Sequence, residues 1–178
     1  MTIAGKIKSS IANSSMIRKM FEEGIRMRKK YGAQNVYDFS LGNPNVEPPD
    51  EFKRELKKIA EEIIHGKHGY MPNAGYPETR QAIASKINKT HGLKLDVDHI
   101  IMSCGAGGAL NVIFKSLLDP KDEVIVPVPY FMEYNAYIDN YGGVLKKVKT
   151  RNDFSLDIAA IAAAVNNRTK AILINSPN

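Results

Sequence analysis

The residues best suited to chemistry form a glycine-rich turn at positions 103–110, Ser-Cys-Gly-Ala-Gly-Gly-Ala-Leu, between a short apolar run and a helical pattern. Glycines let backbone amides approach an anion closely, and the dipole of the following helix adds ~0.3–1 kcal/mol to anion binding at its N-terminus. A tight turn selected only for packing explains the same glycines equally well. The turn is therefore a candidate phosphate site, with a purely structural turn as the alternative.

Two familiar nucleotide-binding loops do not fit this turn. A dinucleotide-binding loop has Gly or Ala at the position of Leu110 and an acidic residue closing the next strand, but that strand runs into Pro127-Val128-Pro129. A Walker A loop requires Gly-Lys followed by Ser or Thr, which this segment lacks. The sequence therefore argues against a nucleotide ligand.

The elements around the turn alternate between strand and helix patterns. Apolar runs predict strands at 99–102, 123–126, 144–148 and 171–174. Periodic segments predict helices after the turn, at 130–141 and at 157–165, the last capped by Ser155 or Asp157. This order predicts an α/β fold of three layers, α/β/α, with a mainly parallel sheet. Ligands of such sheets bind beyond the carboxyl ends of the strands, and residues 175–178 lie in such a loop.

Two more helices are predicted before the sheet. One carries Phe52, Leu56, Ile59 and Ile63 on a single face, and the other opens at Pro77. Composition fits an ordinary soluble domain, with 43% hydrophobic and 25% charged residues in 178. No apolar stretch approaches the ~20 residues that span a bilayer, so no membrane partner is expected.

Charge and cysteine content narrow the possible partners. The net charge is +6, but the basic runs at 26–30 and 146–149 lack the interleaved aromatics of a single-strand-binding surface. They are interpreted as solvated faces, and no nucleic acid is expected. A single cysteine, Cys104, permits no intrachain disulfide and favours a reducing, cytoplasmic location. The four histidines lack the spacing of metal ligands, so no metal site is expected.

Four sequence blocks, in order, give the chain a family resemblance. The phosphate turn is followed by Asp122-Glu123-Val124-Ile125-Val126-Pro127 and then by Pro129-Tyr130-Phe131. Upstream lie Leu41-Gly42-Asn43-Pro44 and a Tyr...Gly...Arg block over 70–80, and the chain closes with Asn175-Ser176-Pro177-Asn178. In this combination the chain resembles the amino-terminal portion of class I/II aminotransferases, which are pyridoxal-phosphate-dependent enzymes of fold type I.

The resemblance implies a cofactor site. The backbone amides of Gly105, Ala106 and Gly107 would hold the phosphate of pyridoxal 5'-phosphate, and Phe131 would stack on its pyridine ring. Stacking is worth ~0.5–1.5 kcal/mol beyond burial. A core aromatic and an ordinary turn are the structural alternatives at these positions.

The resemblance also implies a shared site in a homodimer. Tyr70 would reach the phosphate of the neighbouring subunit, and Gly42 would contact the substrate carboxylate. Ordinary roles, a half-buried tyrosine and a turn glycine, are the alternatives. Arg80 is expected to make a structural ion pair. Residues 1–45 would form an N-terminal arm, including Ser14 and Ser15, and the start of a small domain, and residues 46–178 the first part of the cofactor-binding large domain.

The implied reaction moves an amino group between an α-amino acid and a 2-oxo acid. No catalytic residue is assigned within the chain, because the Schiff-base lysine of the family lies beyond Asn178. The isolated segment is therefore expected to be inactive. A β-lyase of the same fold and a catalytically inactive module that retains the fold remain as alternatives.

Overall fold

The structure is a computed structural model that describes residues 3–12, 16–39, 42, 44 and 46–176. Ser14 and Ser15 of the predicted arm lie outside these residues, as do Pro177 and Asn178. The chain divides into two compact units, Met1–Lys67 and His68–Asn178. The predicted domain boundary after residue 45 stays a prediction. Among the described residues, no helix combines the length and the apolar character needed to cross a membrane.

The first unit is helical. Its helices are α1 (Gly5–Ala12), α2 (Met16–Tyr31) and α3 (Asp50–Glu61), with a short 3-10 turn at Ala33–Asn35. Helix α3 confirms the predicted apolar face, since Phe52, Leu56 and Ile59 share one side. Asp50 and Glu51 in its first turn and Lys58 in its last turn complement the helix dipole. Ile63 lies beyond the end of α3.

The second unit contains a parallel sheet flanked by helices. In chain order its elements are α4 (Pro77–His91), a 3-10 turn (Val97–His99), α5 (Gly105–Leu117), β1 (Glu123–Val128), α6 (Tyr134–Asp139), β2 (Val144–Lys149), α7 (Ile158–Ala164) and β3 (Thr169–Ile172). The described strands lie in the order β2-β1-β3, and both pairings are parallel. The predicted α/β fold class is confirmed as a partial domain.

The central strand β1 explains why helices cover both faces of the sheet. Successive side chains of a strand point to opposite faces. Val124 and Val126 pack in one buried cluster with Phe114 and Ile138 of α5 and α6. On the other face, Ile125 packs with residues of β2 and α7, Val148 and Ile161. Burying each such side chain contributes ~1.5–3 kcal/mol, so both helical layers are needed to cover one strand.

A polar cluster ties the strands together at their amino ends. The carboxylate of Glu123 accepts hydrogen bonds from Lys146 Nζ at 3.0 Å and from Asn166 Nδ2 at 2.8 Å. The bond from Lys146, followed by that from Asn166, holds the pKa of the Glu123 carboxyl below its ordinary value. The stabilisation of the folded state by the ionised Glu123 carboxylate is therefore lost as the pH falls through that lowered pKa. Lys146, interpreted as solvated, is instead partly buried in this pair.

Three predicted elements differ from those observed. The strand predicted at 99–102 is not found among the described residues: His99 ends the 3-10 turn, and the Met102 amide donates to the Ala74 carbonyl at 2.9 Å instead of to a neighbouring strand. The helix predicted from residue 130 begins at Tyr134. There the Asn135 side chain donates to the Met132 carbonyl at 2.7 Å and accepts from the Tyr130 hydroxyl at 3.1 Å, which holds the preceding residues in a turn. Strand β3 begins at Thr169 and ends at Ile172.

The two-sided burial of β1 predicts a graded loss of stability at Ile125, whose side chain is 0% exposed. In the full-length protein, Ile125→Ala should lower the free energy of unfolding by about 2–5 kcal/mol, and Ile125→Val by about 0.5–1.5 kcal/mol. The reason is that the larger deletion leaves the larger cavity. Denaturant unfolding followed by circular dichroism measures both. Equal effects of the two substitutions would contradict the packing described for this strand.

Candidate functional site

The site is built around the first turn of α5. This helix begins at Gly105, whose φ of 68° lies in the left-handed region that favours glycine. The residue before it, Cys104, makes no side-chain capping bond. The first four N–H groups of a helix have no partner within the helix. The Gly105 amide bonds to the Ser103 carbonyl at 3.2 Å. The following amides, on exposed Ala106 and half-buried Gly107, are therefore available to an anion.

The block from Tyr70 to Arg80 positions the segment that enters this turn. Gly75 is buried with a φ of 99°, and a Cβ atom there would overlap the Met102 side chain. Arg80 Nε donates to the Ile100 carbonyl at 2.7 Å, and its Nη2 donates to the Val97 carbonyl at 2.6 Å. The same guanidinium lies 3.6 Å from Asp98, which confirms the predicted structural ion pair. Gly75 and Arg80 thus fix the chain immediately before the glycine-rich turn.

A group of polar residues that the sequence patterns did not reveal bonds to the carbonyl side of the turn. Asn111 Nδ2 donates to the Gly107 carbonyl at 2.8 Å. The Oδ1 atom of Asn111 accepts from Tyr141 Oη at 3.2 Å and from Asn140 Nδ2 at 3.3 Å. These contacts connect α5 to the end of α6. The available signal was a polar residue, Asn111, one helical turn after Gly107 in the apolar first half of the helix.

Phe131 lies in the segment that follows the carboxyl end of β1. Its ring is 45% exposed, whereas the neighbouring Tyr134 is buried. The two rings meet edge to face, with centroids 5.6 Å apart. Tyr134 in turn lies 6.5 Å from Tyr137, whose ring approaches Gly107. Phe131 is therefore not a core aromatic, because its ring contacts Tyr134 and keeps accessible surface. Tyr134 and Tyr137 form a chain of ring contacts from Phe131 to Gly107.

The remaining two predicted site residues are exposed. Tyr70 is fully exposed, and its hydroxyl has no hydrogen-bond partner among the described residues. Gly42 belongs to the first unit, and no described atom lies within 4 Å of the position a Cβ would take there. Within the described part of the chain, no contact joins Tyr70 to the phosphate turn. The half-buried tyrosine that the sequence left as an alternative is not observed.

A small cavity opens at the carboxyl edge of the sheet, where parallel sheets bind ligands. Its volume is about 210 Å³, and residues following all three strands line it. Among them are Tyr130 and Tyr134 after β1, Thr150 after β2, and Asn175 and Ser176 after β3. Typical ligand pockets measure roughly 300–1,000 Å³. This cavity alone is too small for a whole cofactor, but it lies at the carboxyl edge of the sheet, where ligands of such folds bind.

The donor set fits a phosphorylated aromatic cofactor. The turn offers backbone amides and a helix N-terminus, which suit a phosphate, and Phe131, shortly after the end of β1, offers an accessible aromatic ring. Neither feature alone distinguishes a cofactor from an ordinary loop. The ring contacts from Phe131 through Tyr134 to Tyr137 link the aromatic residue to the glycine-rich turn.

Comparison with known proteins shows which family the chain is similar to. The sequence model described as aminotransferase class I and II matches residues 34–178. A probable aspartate/prephenate aminotransferase of Aquifex aeolicus is 39% identical over 146 residues, covering 81% of this chain and 36% of that protein. A probable aspartate aminotransferase of Methanocaldococcus jannaschii is 30% identical over 165 residues, covering 93% and 43%.

Solved structures agree with the sequence comparisons. An aminotransferase from Eubacterium rectale superposes with a TM-score of 0.91 at 34% identity, covering the whole of this chain and 46% of that structure. Aspartate aminotransferase from Thermus thermophilus with maleate gives a TM-score of 0.78 at 32% identity, covering 93% and 42%. The chain spans less than half the length of these relatives. It belongs to the class I and II aminotransferase family.

Proposed function

We propose that the chain is the amino-terminal part of a pyridoxal-phosphate-dependent aminotransferase, which moves an amino group between an α-amino acid and a 2-oxo acid. The observation that carries the proposal is the uncapped first turn of α5, with a left-handed glycine at Gly105 and available amides. Family membership supports a phosphate as the anion. Aspartate is the first amino donor to test, because several relatives are named for it.

In this proposal the chain supplies the phosphate and ring contacts of the cofactor site. The amides of Ala106 and Gly107 would donate to the phosphate, and that of Gly105 could join them only by giving up its bond to the Ser103 carbonyl. The accessible ring surface of Phe131 would stack on the pyridine ring. Bound pyridoxal phosphate supplies the electron sink that stabilises a carbanion at the substrate Cα. The lysine that links covalently to the cofactor lies beyond Asn178, so the chain orients the cofactor and does not itself transfer the proton.

The exposure of Tyr70 supports a homodimer with shared active sites. A tyrosine hydroxyl with no partner in its own described chain is free to donate to a phosphate held by another subunit. Gly42 is proposed to contact the substrate carboxylate through its backbone, and the open space around it leaves room for that contact. A cytoplasmic location stays a prediction that rests on the single cysteine.

A β-lyase of the same fold would use the same phosphate turn and the same stacked aromatic. The relatives of the chain are named as aminotransferases, which favours transamination. A catalytically inactive module would retain the turn but lack the covalent lysine. Amino transfer by the full-length protein from aspartate to 2-oxoglutarate, measured after loading with pyridoxal phosphate, separates these candidates.

The phosphate assignment predicts a charge effect at Gly107. In the full-length protein, Gly107→Asp should weaken pyridoxal phosphate binding at least about tenfold more than Gly107→Asn does, because two like charges near 4 Å repel by a few kcal/mol at an intermediate dielectric constant. The two side chains are similar in size, so Gly107→Asn controls for crowding against Tyr137. Absorbance titration of the apoprotein measures both affinities, and thermal unfolding measures stability.

Equal affinities of the two Gly107 variants would mean that the anion lies elsewhere, and the turn would then be only structural. A full-length wild type that binds no pyridoxal phosphate and transfers no amino group would remove the proposed function itself. A loss of stability in both variants without a difference in affinity counts against the phosphate assignment as well, because it reports crowding alone.

The shared site predicts complementation between two defective variants. Full-length Tyr70→Phe should lose affinity for the cofactor by about tenfold or more, as expected for a hydrogen bond to a charged group worth ~1.5–3 kcal/mol. A second variant lacks the covalent lysine. Mixed after subunit exchange, the two chains form heterodimers in which one site regains both groups, so activity should reappear.

Tyr76→Phe serves as the matched control, since this tyrosine lies in the same segment and is partly exposed. It should retain wild-type cofactor affinity. An enzyme that is fully active as a monomer, or a mixture no more active than its two components, would remove both the Tyr70 role and the dimer from the proposal.

A further inference from the structure

Tyr137 brings a hydroxyl group to the first turn of α5. Its hydroxyl oxygen lies 3.0 Å from the position that a Cβ atom would take on Gly107, and its ring carbon Cζ lies 3.5 Å from it. In a helix every Cα–Cβ bond is tilted toward the N-terminus. The hydroxyl therefore lies beside the first turn of α5, next to the residue whose amide is available to an anion.

This hydroxyl differs from those of the neighbouring tyrosines. The Tyr130 hydroxyl donates to Asn135 Oδ1 at 3.1 Å, and the Tyr141 hydroxyl donates to Asn111 Oδ1 at 3.2 Å. Among the described residues, half-buried Tyr137 has no hydrogen-bond partner for its own hydroxyl. Tyrosine hydroxyls that are withdrawn from solvent usually find a partner. The Tyr137 hydroxyl is thus a hydrogen-bond donor without a described partner next to the phosphate turn.

The glycine at position 107 is explained by the same contact. Its φ is outside the left-handed region, so the backbone conformation does not require glycine there. A side chain at this position would instead meet the Tyr137 hydroxyl at 3.0 Å, which is closer than ordinary van der Waals contact. Gly107 therefore provides the space, and Tyr137 fills that space with a polar atom from α6.

We propose that Tyr137 is a further cofactor-binding residue, whose hydroxyl donates a hydrogen bond to the phosphate held at the first turn of α5. It supplies, from α6, the side-chain donor that Gly107 cannot supply from α5. This inference rests on the proposed function, since it requires the phosphate of pyridoxal phosphate at the turn. A hydrogen bond to a charged group of ordinary strength corresponds to a change in affinity of about ten- to one-hundredfold.

The test compares two probes, pyridoxal 5'-phosphate and pyridoxal, which differ only in the phosphate. In the full-length apoprotein, Tyr137→Phe should raise the Kd for pyridoxal 5'-phosphate by about tenfold or more and leave the Kd for pyridoxal unchanged. The phenylalanine ring preserves the packing against Tyr134. Tyr76→Phe is the control: it also removes a tyrosine hydroxyl, but one on a partly exposed residue outside the contacts that hold the turn, and it should keep the wild-type ratio of the two Kd values.

A double variant tests whether the position of the hydroxyl, rather than the tyrosine, matters. With Tyr137→Phe the clash at residue 107 is relieved, because only Cζ remains, at 3.5 Å. Adding Gly107→Ser then restores a hydroxyl from α5, and the preference for pyridoxal 5'-phosphate should recover at least partly. The same Gly107→Ser in the wild-type background lacks that space and should give no gain.

The outcomes separate the inference from the proposed function. A wild type that binds pyridoxal no more weakly than pyridoxal 5'-phosphate would overturn the phosphate site and the proposed function together. A wild type with a clear preference that Tyr137→Phe retains would overturn the role of Tyr137 alone. Equal loss of affinity for both probes would show that Tyr137 is structural and would likewise overturn the inference.

Discussion

The backbone amides that begin α5 have no intrahelical partner and no side-chain cap, and this constraint organises the surrounding structure. Uncapped N–H groups are costly to bury without a partner, but they become a binding site when an anion is supplied. Gly105 adopts the left-handed conformation that opens the turn. The residues before it are anchored by Arg80 and Gly75, and the carbonyl of Gly107 is held by Asn111. The available amides are therefore held in place by contacts on both sides.

The sheet fixes the second half of the site. Because β1 is buried on both faces, it is a rigid support for the aromatic residue that follows it, Phe131. Val124 and Val126 share one buried cluster with residues of α5, the helix that begins at the phosphate turn, and Phe131 contacts this cluster through Tyr134. This arrangement matches the chemistry expected of a family whose members orient a cofactor and leave the bond-making chemistry to it.

Sequence reasoning succeeded where local signals were strong. The glycine-rich turn, the parallel order of strands and the cap at Asp157, which accepts from the Ala160 amide at 2.9 Å, all follow from patterns within a few residues. It failed where contacts between distant segments decide the structure. The strand predicted at 99–102 is not observed: His99 ends a 3-10 turn, and the Met102 amide bonds to Ala74, almost thirty residues away. Tyr137 was missed for the same reason, since nothing local marks a side chain that meets Gly107 from another helix. Asn111 lies in the same helix as Gly107, and its bonds to Tyr141 and Asn140, about thirty residues away, are what the sequence does not reveal.

The central claim, that the first turn of α5 binds the cofactor phosphate, can be measured at the amides themselves. In full-length protein labelled with ¹⁵N-glycine, the amide resonances of Gly105 and Gly107 should shift on addition of pyridoxal 5'-phosphate and much less on addition of pyridoxal. Gly142, which follows α6 and lies against Pro120, should not distinguish the two ligands. Shifts of Gly105 and Gly107 that are the same for both ligands, in a protein that binds both, would contradict the account.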